Sequence, residues 1–288
     1  MPMKKLLIAA GCALLLTGCA APSAYEIKVS ESTNTLLTID GVSISKQDYF
    51  ETLLDNYGAE KIVADALEKI ADKEVTDLDR VDKLVQDRKK IYEAYLGTTL
   101  DKFAKNLGYK DETDFIEKAL KPDAKQECLR NDYIEEHLDE YLDKFDVTRL
   151  KKIVVSLESE ALVMIDEAKD EDAFDALMKK NEDNSEDLDI VTKNTSLDAN
   201  ILAKLDEFSK LEKDGVVAQA VKQTDGKFAV IFVYDTQKED KQEYIDTLSV
   251  DSTIQAEIES IYLKKYNFNV YDEKLKKAIK NISSGYIE

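Results

Sequence analysis

Apolar side chains recur along most of this chain at helical spacing. The first pattern is an exception: Leu36-Leu37-Thr38-Ile39 and Val42-Ser43-Ile44 flank Asp40-Gly41, a pair suited to the positive φ of a tight turn, and predict a small hairpin. Ser45 then starts a helix, with Asp48 three residues on as its capping partner. Phe50, Leu53, Leu54 and Tyr57 share one face of it, and Gly58 reads as its end. Ile62, Val63, Ala66, Leu67 and Ile70 form the next stripe. Thr76, with Asp79 following, opens a helix that carries Val81, Leu84, Val85, Ile91 and Tyr95. Leu100, Phe103, Ala104 and Leu107 form another, closed by Gly108. Phe115, Ile116, Ala119 and Leu120 belong to one that stops near Pro122. Cys128 to Phe145 reads as a single long helix with Ile134, Leu138, Tyr141, Leu142 and Phe145 on its apolar side. Each stripe reads as a core face.

Near residue 147 the pattern changes. Lys152-Ile153-Val154-Val155 is a β-branched run and predicts a strand. Ala161–Ala168 and Ala173–Lys180 look helical, Asn181–Asp189 reads as a polar acidic loop, and Ile201–Leu211 looks helical again. Val216-Val217 and Val221 suggest a second strand. Phe228–Tyr234 (FAVIFVY) is the strongest strand signal in the chain, and Asp225-Gly226 before it is a turn. From Lys238 helical spacing returns, with Ile254, Ile258, Ile261, Tyr262 and Lys265, then a short extended piece at Asn267–Val270 and a last helix over Tyr271–Ile282. The fold class expected is α+β, mostly α: a helical body over 36–146, an inserted α+β domain over 147–237, and a C-terminal helical segment over 238–288 that returns to the body.

The N-terminus follows neither period. Two lysines, Lys4 and Lys5, precede an apolar run from Leu6 to Thr17, which is shorter than the ~20 residues a membrane-spanning helix needs. Leu16-Thr17-Gly18-Cys19 completes a lipoprotein signal, 1–18, with small residues before a cysteine whose thiol takes the lipid. Residues 19–35 then read as a lipidated tether, polar and aperiodic. The expected location is extracytoplasmic, lipid-anchored to the outer face of the cell membrane through Cys19.

Composition narrows the partners. The net charge is −20; with Lys4 and Lys5 lost, the mature chain has 60 acidic against 38 basic side chains. That excludes nucleic acid as a natural partner and argues against electrostatic docking on anionic lipid. Cys12 leaves with the signal and Cys19 is acylated, so Cys128 stands alone as a packed thiol and no intramolecular disulfide forms. Three prolines and nine glycines in 288 residues leave few turns and long regular elements.

The order of elements resembles that of the PrsA-type foldase lipoproteins and their SurA-like relatives, over most of the mature chain. Four marks carry the resemblance: the lipobox ending in Cys19, LLTIDGVSISKQDYFETL (Leu36–Leu53), KFDVTRLKKIVVS (Lys144–Ser156) at the entry to a parvulin-like domain, and YNFNVYDEKLKKAI (Tyr266–Ile279) at the close. The resemblance implies a helical SurA-like chaperone body that binds unfolded or emerging secreted proteins, and a parvulin-like domain that isomerises X–Pro bonds. That bond has a barrier of ~18–20 kcal/mol, and the family lowers it in an apolar groove beside a polar network that includes two histidines.

This chain departs from the family where that network lies. The first histidine position falls on Lys152 and the second on Ala229; in the glycine-rich strand motif only Asp187 and Leu188 match; the loop before it shrinks to Lys180–Asn184. The chain's single histidine, His137, lies outside the domain. The two-histidine network cannot form, and the implied isomerase activity is weak or lost. Lys152, Asp187, Leu188 and Ala229 are therefore positions of a degenerate groove, with no confident catalytic residue among them.

Other chemistry finds little support. Asn181–Asp189 has carboxylates of the calcium-binding type, yet it lacks a glycine at the sharp turn, and counting twelve from Asp183 reaches Asn194. No phosphate loop, nucleophile elbow or Cys/His zinc cluster occurs, so no cofactor and no metal are expected. Tyr49, Tyr57, Tyr92, Tyr95, Tyr133 and Tyr141 supply amphipathic surface or edge the core. Incompletely buried stripes would permit a homodimer. Two alternatives stand beside the chaperone reading: an active parvulin-type isomerase that uses Asp187, and a solute-binding lipoprotein.

Overall fold

The computed structural model describes Glu31 and residues 33–287; the signal, Cys19 and nearly all of the tether fall outside the described residues. The chain forms two compact units. One comprises the residues up to Tyr133 together with Ser252–Glu288, and the other Ile134–Asp251.

The first unit opens with the hairpin, β1 (Thr35–Ile39) and β2 (Val42–Ser45). Asp40 and Gly41 sit at φ +47° and +77°, the two left-handed positions that a tight two-residue turn demands. Ser45 caps α1 (Lys46–Leu53) in a reciprocal capping box with Asp48. The helix does not end at Gly58. It widens into a π turn over Leu54–Gly58 and runs on as α2 (Ala59–Glu74), with Gly58 at an ordinary helical φ of −63°. Gly58 serves close approach instead: a Cβ there would lie 3.0 Å from Leu275 Cδ2.

α3 (Leu78–Leu96) takes its cap from Asp77, one residue later than the expected Thr76, and Gly97 closes it in the left-handed conformation. α4 (Leu100–Asn106) and α5 (Glu112–Phe115) follow, capped by Thr99 and Asp111. Pro122 does not stop the next helix either. Ile116–Leu120 forms a second π turn, in which the Lys121 N–H reaches back to the Ile116 carbonyl, and α6 (Lys121–Glu136) continues through the proline. Proline lacks the N–H that an α turn would use, and the widened turn accommodates it. α6 also ends earlier than expected. His137, at φ −121° and ψ 24°, interrupts the run before α7 (Leu138–Lys144).

The second unit is built on an antiparallel sheet. β3 (Thr148–Val155) begins four residues before the predicted strand. Next come α8 (Glu158–Glu167) and α9 (Glu171–Lys180). The stretch expected as an acidic loop is a short 3-10 turn followed by β4 (Ser185–Val191), an edge strand paired to β3. Leu188 and Val191 pack into the core, and only one strand neighbours it, so carboxylates are tolerated. α10 (Ala199–Leu202), α11 (Leu205–Ser209), β5 (Gly215–Val216) and β6 (Val221–Lys222) lead to β7 (Phe228–Tyr234). The order is β4-β3-β7-β5, with β6 also on β7, and every pair is antiparallel. α8 and α9 cover one face over Ile153, Phe174, Val230 and Phe232. α10 and α11 cover the other over Leu150, Phe208, Ala229, Ile231 and Val233. α12 (Lys241–Ser249) belongs to this unit as well.

α13 (Ser252–Lys265) and α14 (Glu273–Ile282) complete the first unit. Its core holds Val63, Leu67, Val81, Val85, Leu100, Leu129, Ile258 and Ile279. Cys128 is buried there, and burial pushes its thiol up to about 11, so it stays protonated near neutrality. Among the described residues, no helix is long and apolar enough to cross a membrane.

The last residues are held by a buried acid. The Tyr286 hydroxyl donates to Glu259 Oε2, and Arg130 Nη1 stands 3.9 Å from the same carboxylate. Burial raises the Glu259 carboxyl above its ordinary value, although the Tyr286 hydrogen bond and Arg130 pull the other way. A carboxyl raised in the folded state contributes stability that is fully present below its unfolded pKa of 4.5 and lost as pH rises through the folded value. Urea midpoints of the wild type should therefore fall as pH rises from 4.5 through that window. In Glu259→Gln this component of the slope should vanish. An identical pH slope in both proteins would refute the assignment.

Candidate functional site

The sheet of the second unit contains every groove position named from sequence. Along β3, Leu150 and Val154 pack on the α10–α11 side and Ile153 and Val155 on the α8–α9 side, so alternation assigns Lys152 to the former. Lys152 stands opposite Glu186 on β4 and Ile231 on β7, and its Nζ lies 3.1 Å from the Glu186 carboxylate. Ala229 stands between Val154 and Val221 and is fully buried. Leu188 packs against the same core. Asp187 is elsewhere: it pairs with Lys151 and accepts the Tyr234 hydroxyl at 2.8 Å, and Tyr234 packs on the α8–α9 side. The structure thus brings Lys152, Leu188 and Ala229 to one face and puts Asp187 on the other. His137, half-buried between α6 and α7, is remote in sequence from all strands but β3 and belongs to no strand.

These contacts limit what the face can do. The Lys152 ammonium is already engaged by the Glu186 carboxylate. A sealed methyl at Ala229 neither donates nor accepts. Asp187 is held by a phenol on the opposite side of the sheet.

Sequence reasoning missed a polar cluster on the α8–α9 side. The Arg149 side chain is 13% exposed; its Nε lies 3.3 Å from Asp189, its Nη1 3.5 Å from Asp235, and its Nη2 bonds Glu243. Its guanidinium also lies over the Tyr234 and Tyr244 rings, 5.9 and 5.3 Å from their centroids. Two residues on, Lys151 Nζ is 2.7 Å from both Glu171 and Asp175. Burial works against the charged form of Lys151, but hydrogen bonds to Asp175 and Glu171 outweigh it and hold the ammonium above the usual lysine range. Burial raises the Tyr234 and Tyr244 phenols, reinforced by their hydrogen bonds to Asp187 and Asp235. The cluster ties β3, β4, β7, α9 and α12 together; it is a fastening with no free acid or base. Its sequence signal was two cations alternating within a strand, Arg149 and Lys151.

The other feature of note is the hairpin of the first unit. Leu37 pairs with Ile44 and Ile39 with Val42, which puts all four side chains on one face of the ribbon. Ile39 is 67% exposed and Val42 62%. Tyr49 and Tyr57, on the helical run that follows, are exposed as well. Outside the β1–β2 pairing, neither strand has a further partner among the described residues.

No family model and no curated protein matches this sequence. Solved structures do show similarity. The peptidylprolyl isomerase PrsA of Bacillus cereus is 20% identical, with 88% of this chain and 99% of that one covered at a TM-score of 0.46. PrsA of Bacillus subtilis is 19% identical, with coverages of 86% and 99% and a TM-score of 0.43. One chain from a study of the Campylobacter jejuni proteins PEB4 and Cj1289, described as SurA-like chaperones, is 17% identical, with coverages of 83% and 99% and a TM-score of 0.25.

Arg149 offers a direct test of the fastening. Arg149→Met keeps the apolar stem and takes the cation from the half-buried Asp235, and should lower unfolding free energy by about 2–3 kcal/mol, below the range for fully buried pairs because Asp189 and Glu243 reach solvent. Adding Asp235→Asn should recover part of the loss in a double-mutant cycle by urea unfolding. Additive losses would mean that the pair is not coupled.

Proposed function

We propose that this chain is a membrane-anchored extracytoplasmic chaperone for secreted proteins, held by a lipid on Cys19, whose α+β unit retains a parvulin-like sheet with little or no isomerase activity. The observation that carries the chaperone reading is the exposed apolar face of the hairpin. Ile39 and Val42 in water give up the stability their burial would contribute, and contiguous exposed apolar side chains mark interaction surfaces. The ribbon combines an apolar face with strand edges that have no partner among the described residues. An extended segment can add to such an edge through its own backbone, whatever its sequence. A binder of many unfolded chains needs that indifference.

The lost-isomerase half rests on the groove chemistry. One histidine in the chain, an ammonium neutralised by Glu186 and a sealed alanine leave nothing in the places where the family keeps its polar network. The alternative that uses Asp187 is disfavoured by its bond to Tyr234 across the sheet.

Three results are expected. The mature chain at stoichiometric amounts should slow aggregation of an unfolded client seen by light scattering, and Ile39→Ser with Val42→Ser should lose most of that effect while keeping the native circular dichroism spectrum. A chain that leaves aggregation unchanged would end the chaperone reading. A short chromogenic X–Pro peptide should isomerise no faster than background; turnover near that of a parvulin control would establish an enzyme instead. In cells, Cys19→Ser should move the protein from the detergent phase to the aqueous phase, and unchanged partition would remove the lipid anchor from the proposal.

A further inference from the structure

The second unit carries most of the charge. Between Ile134 and Asp251 there are 31 acidic against 15 basic side chains, a net −16. On α8 that charge surrounds an apolar ridge. Leu157, at the head of the helix, and Leu162 and Val163, on its outer side, are 57%, 52% and 57% exposed. The inner side is spoken for: Ala161 is buried, and Met164 and Ile165 pack against the core with Phe174 and Phe232. Glu158, Glu160, Asp166 and Glu167 are all exposed around the ridge. Each lies three to five positions from Leu162 or Val163, hence on the same or the adjoining helical face. Between Ser156 and Ala168 there is no basic residue, and none of the four carboxylates makes an ion pair among the described residues. Other carboxylates of the unit are paired, as Glu171 and Asp175 are with Lys151.

From this arrangement we infer that the outer face of α8 is a docking surface for segments of client chains that carry both apolar and basic side chains. The inference rests on the chaperone reading and adds a client class to it. An apolar ridge alone would accept any apolar partner; unpaired carboxylates around it select a cationic one, since like charge repels an acidic segment and a neutral one gains nothing from them. The same argument sets aside two other occupants. A second copy of this chain would bring another −16 to the interface, and an anionic bilayer would be repelled. The ridge and the hairpin thus divide the work: the hairpin takes extended segments through backbone and apolar contacts, and α8 takes basic ones.

The test uses the mature full-length chain and a fluorescent leucine–lysine peptide of about 14 residues, four helical turns, with a leucine–glutamate peptide of equal length as control. Fluorescence anisotropy should show binding of the lysine peptide only, weakening by about tenfold or more from roughly 50 to 300 mM salt as exposed charges are screened. The variant with Glu158, Glu160, Asp166 and Glu167 each changed to Gln should lose about tenfold in affinity at low salt. Leu162→Ser with Val163→Ser should lose affinity at both salt concentrations. Both variants change only exposed positions, and circular dichroism checks their fold. Ile39→Ser with Val42→Ser should bind the lysine peptide as the wild type does. Equal binding of the two peptides, no binding of either, or a lysine-peptide site that is lost with the hairpin variant and kept by the α8 variants would each overturn the inference. None of these outcomes alters suppression of aggregation of a neutral client, which tests the chaperone reading separately.

Discussion

The second unit depends on the pairing of β3 with β7. Seven consecutive residue pairs, from Arg149 with Tyr234 to Val155 with Phe228, fix which side chains share a face. Five of the seven residues of β7 are buried, because helices cover both sides of it. A one-residue slip would exchange Ile231 and Val233 for Val230 and Phe232 and undo both cores at once. Everything polar in the sheet is arranged around that ladder. Arg149 and Lys151 are held within an apolar face only because carboxylates from β4, α9, α12 and the residue after β7 reach them. Lys152 and Ala229 occupy positions defined by backbone pairing, and the ladder is indifferent to which side chains they carry.

The first unit is governed by continuity of its helices. Two π turns carry the chain past the points where a sequence reader expects it to stop. Each answers a local demand. At Gly58 the demand is the approach of Leu275 on α14; at Pro122 it is a missing backbone donor. Neither demand is visible as periodicity, because the apolar stripe continues through both.

The legible features were those with local causes. The hairpin at Asp40-Gly41, the cap at Ser45, the stripe from Val63 to Ile70 and the β7 strand need only near neighbours to specify them, and all appear as read. The misreadings had distant causes. β4 reads as a loop because carboxylates are as numerous in it as apolar residues, and it becomes a strand because β3 offers an edge. His137 sits within an apolar stripe yet breaks the helix. In the groove, alternation along β3 and β7 brings Lys152 and Ala229 to the same side. Asp187 could not be placed in advance, since a bulge between Leu150 and Lys151 shifts the β3–β4 register and decides which face it joins. The Arg149 cluster escaped notice because its partners come from four separated elements.

On the proposed chaperone reading, weak binding follows from the size of the exposed surfaces. Full burial of an aliphatic side chain gains about 1.5–3 kcal/mol, and Leu37, Ile39 and Val42 are already partly covered, so the hairpin face gains only a few kcal/mol in contact with an apolar segment. Association costs at least about 4 kcal/mol in lost freedom, and ordering an unfolded segment costs more. Such a face cannot hold a client alone. Backbone pairing along a strand edge, or a second contact on the same client that makes the first effectively intramolecular, is needed to tip the balance. A lipid anchor would raise the local concentration of the chain where exported segments emerge, which favours many weak contacts over one strong one. A client held this way leaves as soon as its own core offers its apolar residues a better place, and release then needs no catalytic step.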